Sequence, residues 1–393
     1  MDTNRPAVVL APDSFKGSLD AAGVCAAMAI GLRRVWPAVE LRVRPMADGG
    51  EGTLDAVLAA LAEQGTRSQS QVPGAGDEPI SAAWGLVAQS QHRVAVIESA
   101  QVVGITDAAG MRVPVAHRST RGVGELIRTV LDSGVRRFMI GLGGSSTNDG
   151  GAGMLAALGL KLLDAQGTRV APTPAGLASL AAVDASSLDP RLRDTDVTIM
   201  SDVSNPLCGP RGATAIFGPQ KGVTEHERDD IDRTLARFAS LAEAAVGASV
   251  ADRPGAGAAG GLGFALQLIG GRFASGARVV ADLIGLDDAL RDADWAITGE
   301  GRSDAQTLLG KAPFVVAEAA ARARVPASLL SGAVDPKSLS ELGAHFAGCF
   351  ALPAGPMTLA DCIANAAPAL ADRAEQMARL FVAARGAPST RIA

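Results

Sequence analysis

The sequence predicts an α/β protein with two domains, one inserted into the other. Three observations support this prediction. The length of 393 residues exceeds the usual size of a single domain. Near the start, apolar runs alternate with helical repeats of apolar residues, which is typical of a parallel sheet with helical crossovers. The same alternation returns only after about residue 290. We therefore expect one domain from residues 1–70 and 290–393, with a second α/β domain at 71–289 inserted between them.

The first 61 residues contain two strand–turn–helix repeats. Residues 7–11 form an apolar run, Ser18 is placed to cap a helix, and residues 41–46 alternate as a second strand. Ligands of parallel sheets bind beyond the carboxyl ends of the strands, so both turns are expected at a binding site. The apolar positions at helical spacing are Val24, Met28, Leu32 and Val35 in the first helix and Leu54, Val57, Leu58 and Leu61 in the second.

Residues 62–79 are polar and rich in Gly, Gln and Pro, which is typical of a linker. Beyond the expected insertion, strands followed by turns are predicted within residues 293–301, 325–335 and 348–355. These later elements complete the sheet that residues 7–11 begin.

Composition excludes several classes of function. The net charge is −5, and no run of five like charges suggests a nucleic-acid or membrane surface. No run of 18 apolar residues is present, and residues 1–6 lack the apolar core of a signal peptide. The four cysteines lie far apart, which predicts neither a zinc site nor a disulfide framework. We expect a cytoplasmic protein without nucleic-acid or membrane partners.

Acidic residues follow four of the predicted strands. Any one of them could simply cap a helix. Four such strand ends together, each beside glycines, suit a site that holds a divalent cation and deprotonates a hydroxyl group. The acids are Asp13, then Asp48 with Glu51, then Asp202, then Glu300 with Asp304.

Lysines are rare in this chain, since only five occur among 36 basic residues. Three of them, Lys16, Lys221 and Lys311, lie in turns that contain glycine. Lysine offers a compact, rotatable point charge, which suits a phosphoryl or carboxylate oxygen. These three positions are therefore candidates for binding an anion.

The richest motif joins a predicted strand at 138–142 to an apolar helix. Glycines allow positive φ and expose successive N–H groups, while hydroxyl groups add donors. This composition indicates an anion cradle, with a purely structural turn as the alternative. A Gly-x-Gly-x-x-Gly match at 255–260 follows Arg-Pro rather than a strand, so its context is wrong for a dinucleotide site. The cradle residues are Gly143, Gly144, Ser145, Ser146, Thr147, Asn148 and Asp149, followed by Gly150 and Gly151.

Residues 200–222 join Asp202, Asn205, Arg211 and Lys221 through glycines and prolines. Such residues fix the path of a loop, which suggests that these polar groups are held in position. Thr224 and Glu227 then have the spacing of a capping box. The four histidines are isolated from these motifs, so a Ser-His-Asp triad is not expected.

Taken together, these motifs resemble the bacterial glycerate kinases of the glycerate 2-kinase type over about residues 7–380. The resemblance implies phosphorylation of D-glycerate to 2-phosphoglycerate, with ATP as co-substrate and Mg²⁺ as cofactor. It also implies a flavodoxin-like, Rossmann-like parallel-sheet domain with an inserted α/β domain and an active site in the interdomain cleft. The stretches that carry it are APDSFKGSL, PMADGGEGT, GLGGSSTNDGGAGMLAALG, SDVSNPLCGPRGAT, FGPQKG, PGAGAAGGLG and TGEGRSDAQTLLGKAP.

On this resemblance, Lys16 meets the glycerate carboxylate or the transferred phosphoryl group, and Asp13 orients a substrate hydroxyl or a magnesium-bound water. Asp202 is the first candidate for general base or magnesium ligand, and Asp48 is the further catalytic candidate. The choice of base stays open. Further substrate contacts are expected from Glu51, Asn205, Glu300 and Asp304, and nucleotide contacts from Gly143 to Asp149 and from Lys221.

Three alternatives remain at this point. The chain could phosphorylate another small hydroxy or sugar acid or form 3-phosphoglycerate, it could hydrolyse phosphorylated metabolites, or it could bind a small ligand without catalysis. The sequence leaves open whether the protein is a monomer or a homodimer.

Overall fold

The computed structural model describes residues 5–61, 63–89 and 92–386. The expectation that no signal peptide is present concerns residues 1–6, and residues 1–4 lie outside this described part. The strands, in chain order, are β1 (Ala7–Leu10), β2 (Glu40–Val43), β3 (Gly65–Pro73), β4 (Pro79–Gln89), β5 (His92–Glu98), β6 (Arg137–Gly141), β7 (Lys161–Leu163), β8 (Ala182–Asp184), β9 (Asp196–Met200), β10 (Arg272–Ala274), β11 (Trp295–Thr298), β12 (Arg302–Ser303), β13 (Ala327–Ser331), β14 (Ala333–Val334) and β15 (Gly348–Ala351).

Helices connect most of these strands. The α-helices are α1 (Ala21–Val35), α2 (Thr53–Ala60), α3 (Ala100–Val103), α4 (Ala108–Arg112), α5 (Arg121–Asp132), α6 (Ala152–Ala157), α7 (Pro174–Leu177), α8 (Ala213–Phe217), α9 (Glu225–Val246), α10 (Leu262–Leu268), α11 (Gly276–Leu283), α12 (Leu286–Leu290), α13 (Ala312–Ala323), α14 (Leu339–Gly343), α15 (Leu359–Ala364) and α16 (Ala366–Gly386). Short 3₁₀ helices cover Val115–His117, Pro190–Asp194, Pro219–Lys221, Ala258–Gly261, Ala305–Leu309 and Pro336–Ser338. Within the described ranges, no helix is both long and apolar enough to cross a membrane.

The described residues form two compact units. Unit 1 contains those within 1–48, 55–61 and 277–393, and unit 2 contains those within 49–54 and 62–276. Each unit has its own sheet and its own buried apolar core.

Unit 1 is built on a five-stranded parallel sheet with the order β15-β13-β11-β1-β2. Read from β2, with the strands β1, β2, β11, β13 and β15 numbered 1 to 5 in chain order, the sheet has the order 2-1-3-4-5. This is the flavodoxin-like order. The expected flavodoxin-like parallel sheet is therefore confirmed. In this topology the ligand site lies where the strand order reverses, beyond the ends of β1 and β11.

Helix α1 covers this sheet with an apolar face. Its N-cap is Asp20, whose carboxylate accepts a hydrogen bond from the Gly23 N–H at 2.6 Å, so the assignment of Ser18 as the cap was wrong. Ser18 lies in the preceding turn, and two residues, Leu19 and Asp20, separate it from the first helical residue. A Cβ at Gly31 would overlap the carbonyl of Ala371, so this glycine lets α1 and α16 pack closely.

Unit 2 is built on a six-stranded sheet with the order β10-β9-β6-β5-β4-β3. Strands β10, β9, β6 and β5 are parallel, whereas β4 and β3 are antiparallel to their neighbours. The carboxyl ends of β5, β6 and β9 therefore lie side by side. Glu98, the loop from Gly143 and Asp202 follow from these ends, which places three polar segments at one edge of the sheet.

The interpretation of residues 62–79 as a linker was wrong. Gly65–Pro73 forms β3, which pairs with β4 from Gly65 opposite Val87 to Pro73 opposite Pro79. This strand is at the sheet edge, and of its nine residues Val72 alone is fully buried. An edge strand exposed on most of its length tolerates polar side chains, so its composition matches that of a linker.

Candidate active site

In unit 1, Asp13 stands directly beyond β1 at the point where the strand order reverses. Its N–H donates to the carbonyl of Gly299 at 2.8 Å, which ties the turn after β1 to the turn after β11. The carboxylate accepts a hydrogen bond from the Ser14 N–H at 2.6 Å. Burial, with the charge of Asp48, raises the pKa of Asp13 to about 7, and Glu300 acts in the same direction. A carboxylate with this pKa is suited to accept a proton at neutral pH.

Lys16 lies beside this carboxyl group. Phe15 is buried and exchanges backbone hydrogen bonds with Leu19, so the turn is fixed, while Lys16 itself is exposed. The Lys16 ammonium is close enough to lower the pKa of Asp13 in opposition to the acids. The turn thus presents an exposed ammonium group next to a carboxyl group that titrates near neutral pH.

Glu300 follows β11 and is held rigidly. One carboxylate oxygen accepts hydrogen bonds from the Thr307 hydroxyl at 2.6 Å and the Ser303 hydroxyl at 3.1 Å. The other oxygen lies 3.6 Å from Lys311 Nζ. Burial raises the pKa of Glu300, and these partners oppose the shift. The group is fixed in place and only 8% exposed.

Asp304 has a local structural task. Its carboxylate accepts from the Gln306 N–H at 2.9 Å, and its own N–H donates to the Thr307 hydroxyl at 3.0 Å. Asp304 therefore caps the 3₁₀ helix Ala305–Leu309 in a capping box. Contact with substrate stays a prediction for this residue.

In unit 2, residues 49–52 lie against the ends of the sheet. Gly49 has φ +90°, and a Cβ on it would come within 2.7 Å of the Met200 Cβ. A Cβ at Gly143 would come within 2.7 Å of the Gly50 Cα. Glycine is needed at these positions because two backbone segments are in direct contact. The packing holds the exposed Glu51 at the same sheet edge as Asp202, which is also exposed.

Glu98, at the end of β5, anchors this segment. It is 1% exposed, and its Oε1 accepts from the Leu54 N–H at 2.5 Å while Gln101 donates to Oε2 at 3.4 Å. Burial raises the pKa of Glu98, and these hydrogen bonds oppose the rise. The carboxylate satisfies free N–H groups at the start of α2.

The glycine-rich loop after β6 divides into an accessible part and a buried part. Gly144 is exposed, with φ +71°, and Gly143 is half-buried. Ser145 is 5% exposed, whereas Ser146, Thr147, Asn148 and Asp149 are completely buried. In this conformation a ligand reaches only Gly143, Gly144 and Ser145.

The buried part of the loop holds itself together. The Asp149 carboxylate accepts from the Thr120 N–H at 2.7 Å and hydroxyl at 2.8 Å, and also from the N–H groups of Gly151 and Gly153. Burial raises the pKa of Asp149 against these four hydrogen bonds. Asn148 Nδ2 donates to the Thr214 hydroxyl at 3.0 Å. Direct nucleotide contact by Ser146 to Asp149 stays a prediction, and the structure gives it no accessible surface.

Lys221 is buried beneath this loop. It is 2% exposed, and its Nζ donates to Ser145 Oγ at 2.9 Å and to the Thr147 carbonyl at 2.8 Å. Burial lowers the pKa of Lys221 to about 7, although the charge of Asp149 opposes the shift. The lysine therefore supports the loop from inside unit 2.

A pocket of about 290 Å³ adjoins the accessible part of the loop. Its lining combines the glycine turn and Lys221 with residues that are mostly apolar. Gln220 adds an exposed amide. The lining residues are Ile105, Leu142, Gly143, Gly144, Ser145, Val203, Phe217, Gln220, Lys221 and Ala259.

The model of the glycerate kinase family matches residues 8–382 of this sequence. The chain belongs to the glycerate kinase family. It is 41% identical to the glycerate kinase of Bacillus subtilis (strain 168), over 92% of this chain and 94% of that one. It is 40% identical to the glycerate 2-kinase of Escherichia coli (strain K12), over 83% of this chain and 85% of that one.

A solved structure supports the same fold. The crystal structure of a protein named glycerate kinase 2 from Salmonella typhimurium LT2 is 40% identical, covers 98% of this chain and all of that chain, and gives a TM-score of 0.85. The resemblance in the sequence motifs is therefore confirmed at the level of family and fold.

Within this glycerate kinase family member, the predicted polar residues fall into two groups. Unit 1 brings together Asp13, Lys16, Asp48 and Glu300, since the charges of the other three all act on Asp13. Unit 2 carries the loop, Lys221, Glu51, Asp202 and Asn205. The side-chain amide of Asn205 donates to the Arg211 carbonyl at 2.8 Å, so its described contact shapes its own loop. The expected cleft between the domains stays a prediction.

The glycine-rich stretch at 254–263 has a packing role. A Cβ at Gly260 would overlap the Thr147 carbonyl, and the Gly260 carbonyl accepts from the Gly150 N–H at 2.9 Å. The glycine-rich segment 254–263 is thus in direct backbone contact with the loop after β6. This contact explains the last glycine of the Gly-x-Gly-x-x-Gly match.

Sequence reasoning missed Arg118, Thr120 and Glu98 as supporting residues. Glu98 carried a usable signal, because it ends an apolar strand, much as the selected acids follow four of the predicted strands. Arg118 and Thr120 have no such signal, since their partners in the glycine-rich loop, Ser146 and Asp149, are 28 and 29 residues away.

Proposed function

We propose that this chain transfers a phosphoryl group from ATP to D-glycerate and forms 2-phosphoglycerate. The observation that carries the proposal is the pocket in unit 2, where a glycine turn and a buried lysine adjoin apolar walls. A nucleotide needs both kinds of lining, since its phosphates need N–H donors and positive charge while its base needs an apolar surface. The names of the relatives support glycerate as the acceptor.

The nucleotide is assigned to unit 2. The turn Gly143–Ser145 receives the phosphates, because these are the accessible residues of the loop and glycine lets a ligand approach the backbone. Phe217, Val203 and Ile105 are the apolar side chains available to the base. Lys221 contributes positive charge behind Ser145.

Glycerate is assigned to the polar group of unit 1. Lys16 offers an exposed ammonium to the carboxylate or to the transferred phosphoryl group. Asp13 accepts the proton of the attacking hydroxyl, because its pKa of about 7 keeps much of it ionised at neutral pH without making it a poor base. Glu300 and Asp48 raise that pKa and so adjust the base.

Magnesium is assigned to Asp202. The described ranges contain no group of three or more His, Cys, Asp or Glu side chains that could hold a metal by themselves. Mg²⁺ bound to a nucleotide needs only one or two carboxylates, because phosphates and water complete its six ligands. An exposed carboxylate beyond β9 fits this requirement. When bound, the ion neutralises charge on the transferred phosphoryl group.

The test is product identification by ³¹P and ¹³C NMR after incubation of the protein with D-glycerate, ATP and Mg²⁺. The expected product is 2-phosphoglycerate with an equal amount of ADP. Formation of 3-phosphoglycerate would contradict the assigned position, and preference for another hydroxy acid in a parallel panel would contradict the substrate. Free phosphate released from a phosphorylated metabolite without nucleotide would indicate a hydrolase.

An ATP-consuming reaction of this type fits the cytoplasm, and we propose that location for the protein.

A further inference from the structure

Arg118 is a buried cation whose described contacts differ from those usual for arginine. It is 3% exposed, and its described hydrogen bonds all go to backbone carbonyls. Among the described residues no acid lies within ion-pair distance of it, whereas buried charges ordinarily have an opposite charge as partner. The four bonds run to Met111 (3.0 Å), Val113 (2.8 Å), Ser146 (3.0 Å) and Lys221 (2.8 Å).

These bonds join three segments of unit 2. The Nε and Nη2 atoms hold the end of α4, while Nη1 holds the carbonyls of Ser146 and Lys221 together. A trans peptide is planar, so fixing the Ser146 carbonyl toward Arg118 directs the Thr147 N–H away from it. The guanidinium therefore sets the orientation of a peptide unit in the glycine-rich loop.

The same bonds also place Lys221. Arg118 fixes the backbone carbonyl of Lys221, and the Lys221 ammonium in turn holds the Ser145 hydroxyl and the Thr147 carbonyl. Ser145 lines the pocket. A chain of direct contacts thus runs from Arg118 through Lys221 to the accessible end of the loop.

The charge balance beneath the loop favours an anion above it. Arg118 and Lys221 are cations, and Asp149 is the acid whose charge acts on Lys221. Asp149 is already surrounded by N–H and O–H donors. When both cations are protonated, an excess of positive charge remains under Gly143–Ser145, and a bound anion would offset the cost of burying it.

We propose that Arg118 is a positioning residue for the nucleotide, holding Ser146 and Lys221 so that the Gly143–Ser145 turn is preformed for a polyphosphate. This inference rests on the proposed function, because that function assigns the turn to ATP. Arg118 acts through the loop and does not itself touch the ligand. A guanidinium is required, since its fixed fork reaches several carbonyls at once, whereas an ammonium is a point charge.

The test compares Arg118→Lys and Arg118→Met with Arg136→Met. Arg136 is a matched control because it also donates to backbone carbonyls in unit 2, those of Leu131 (2.9 Å) and Val135 (2.8 Å). We expect both Arg118 variants to weaken binding of a non-hydrolysable ATP analogue by about tenfold or more. The KM for D-glycerate should stay within about twofold, and added guanidinium should restore part of the affinity of Arg118→Met. Arg136→Met should match the wild type.

Wild-type affinity in both Arg118 variants would overturn the inference. So would a loss of nucleotide affinity that only follows a loss of folded protein in thermal melts, because Arg118 would then be a general structural residue. Binding and turnover measured on the wild-type protein separate the proposed reaction from the proposed role of Arg118. Nucleotide binding without turnover of D-glycerate would contradict the proposed reaction and leave Arg118 to be judged on the affinities alone.

Discussion

The polar turn of unit 1 and the glycine-rich loop of unit 2 use similar residue types in opposite ways. In unit 1, Lys16 is exposed and acts on a carboxyl group beside it. In unit 2, Lys221 and Asp149 are buried, and their hydrogen bonds hold the loop itself. A lysine beside a glycine is thus exposed next to a carboxyl group in one place and supports backbone in the other. Burial, rather than residue type, separates these roles.

In each region the pKa of one group is shifted toward neutral pH, upward for an aspartate and downward for a lysine. Burial and neighbouring acids raise the pKa of Asp13 to about 7, whereas burial lowers the pKa of Lys221 to about 7. Asp13 should therefore control the rate of reaction near neutral pH. Lys221 should control nucleotide affinity and stability.

The largest effect is expected from Asp13→Asn. Without a group to accept the hydroxyl proton, kcat should fall by about 10²–10⁴. In the wild type, kcat/KM should rise with pH through about 7, because the ionised carboxylate is the active form. The variant should lack this ascending limb. Asp20→Asn is the control, since asparagine also caps helices well. A variant within threefold of wild type would remove Asp13 from the mechanism.

Asp13→Asn should also change how the stability of the fold depends on pH, and this trend runs opposite to the one expected for activity. The folded pKa of Asp13 lies above its unfolded value of 3.8, so between about pH 4 and 7 the folded state binds more protons. Wild-type stability should therefore decline across that window as pH rises. Thermal melts of Asp13→Asn should decline less, and an equal decline in both proteins would contradict the raised pKa.

The second effect concerns Lys16→Met, which keeps the stem and removes the charge. We expect kcat/KM for glycerate to fall by about tenfold or more, or about 1.4 kcal/mol of transition-state stabilisation, with little change in Tm. Lys16→Arg should also be impaired, because a planar fork differs from a point charge. Lys337→Met is the matched control, being another exposed lysine of unit 1. Full activity in Lys16→Met would make the turn an ordinary one.

The third effect concerns Lys221→Met, which should raise the KM for ATP more than the KM for glycerate. The folded pKa of Lys221 lies below its unfolded value of 10.5, so between about pH 7 and 10.5 the unfolded state binds more protons. Wild-type stability should gain from this group as pH rises across that window. The variant should lose this gain, as measured by urea unfolding at several pH values. Identical pH slopes would contradict burial of a titrating lysine.

The smallest effect is expected from Asp304→Ala. Loss of a helix N-cap costs about 1 kcal/mol, and the chain offers Asp304→Asn as a control that retains a capping side chain. If capping is its task, Asn should restore both stability and activity. A raised KM for glycerate in Asp304→Asn, with wild-type stability, would instead support the predicted substrate contact.

Much of the fold was predictable, because the pattern that produces it is local. Apolar runs such as Ala7–Leu10 and Trp295–Thr298 are recognisable as buried strands, and the capping box of Thr224 with Glu227 is present as predicted. The edge strand Gly65–Pro73 was missed because its stability comes from pairing with β4 rather than from its own composition.

The candidate site was predictable only in part, because burial is not a local property. The motif from Gly143 to Asp149 suggests a single anion-binding turn, yet packing against Gly260 and hydrogen bonding from Thr120 leave Ser146 to Asp149 buried. Arg118 gave no signal among the many arginines of this chain. Its partners are separated from it by up to 103 residues, so contact alone reveals it.

The division between the accessible turn and its buried support is tested most directly by titrating ¹⁵N-labelled protein with a non-hydrolysable ATP analogue and Mg²⁺. We expect the amide signals of Gly143, Gly144 and Ser145 to shift and to saturate at the nucleotide Kd. D-glycerate added alone should shift the signals of Lys16 and Gly17. Signals of Gly143 to Ser145 that stay unmoved at saturating nucleotide would contradict the assignment of the nucleotide to this turn.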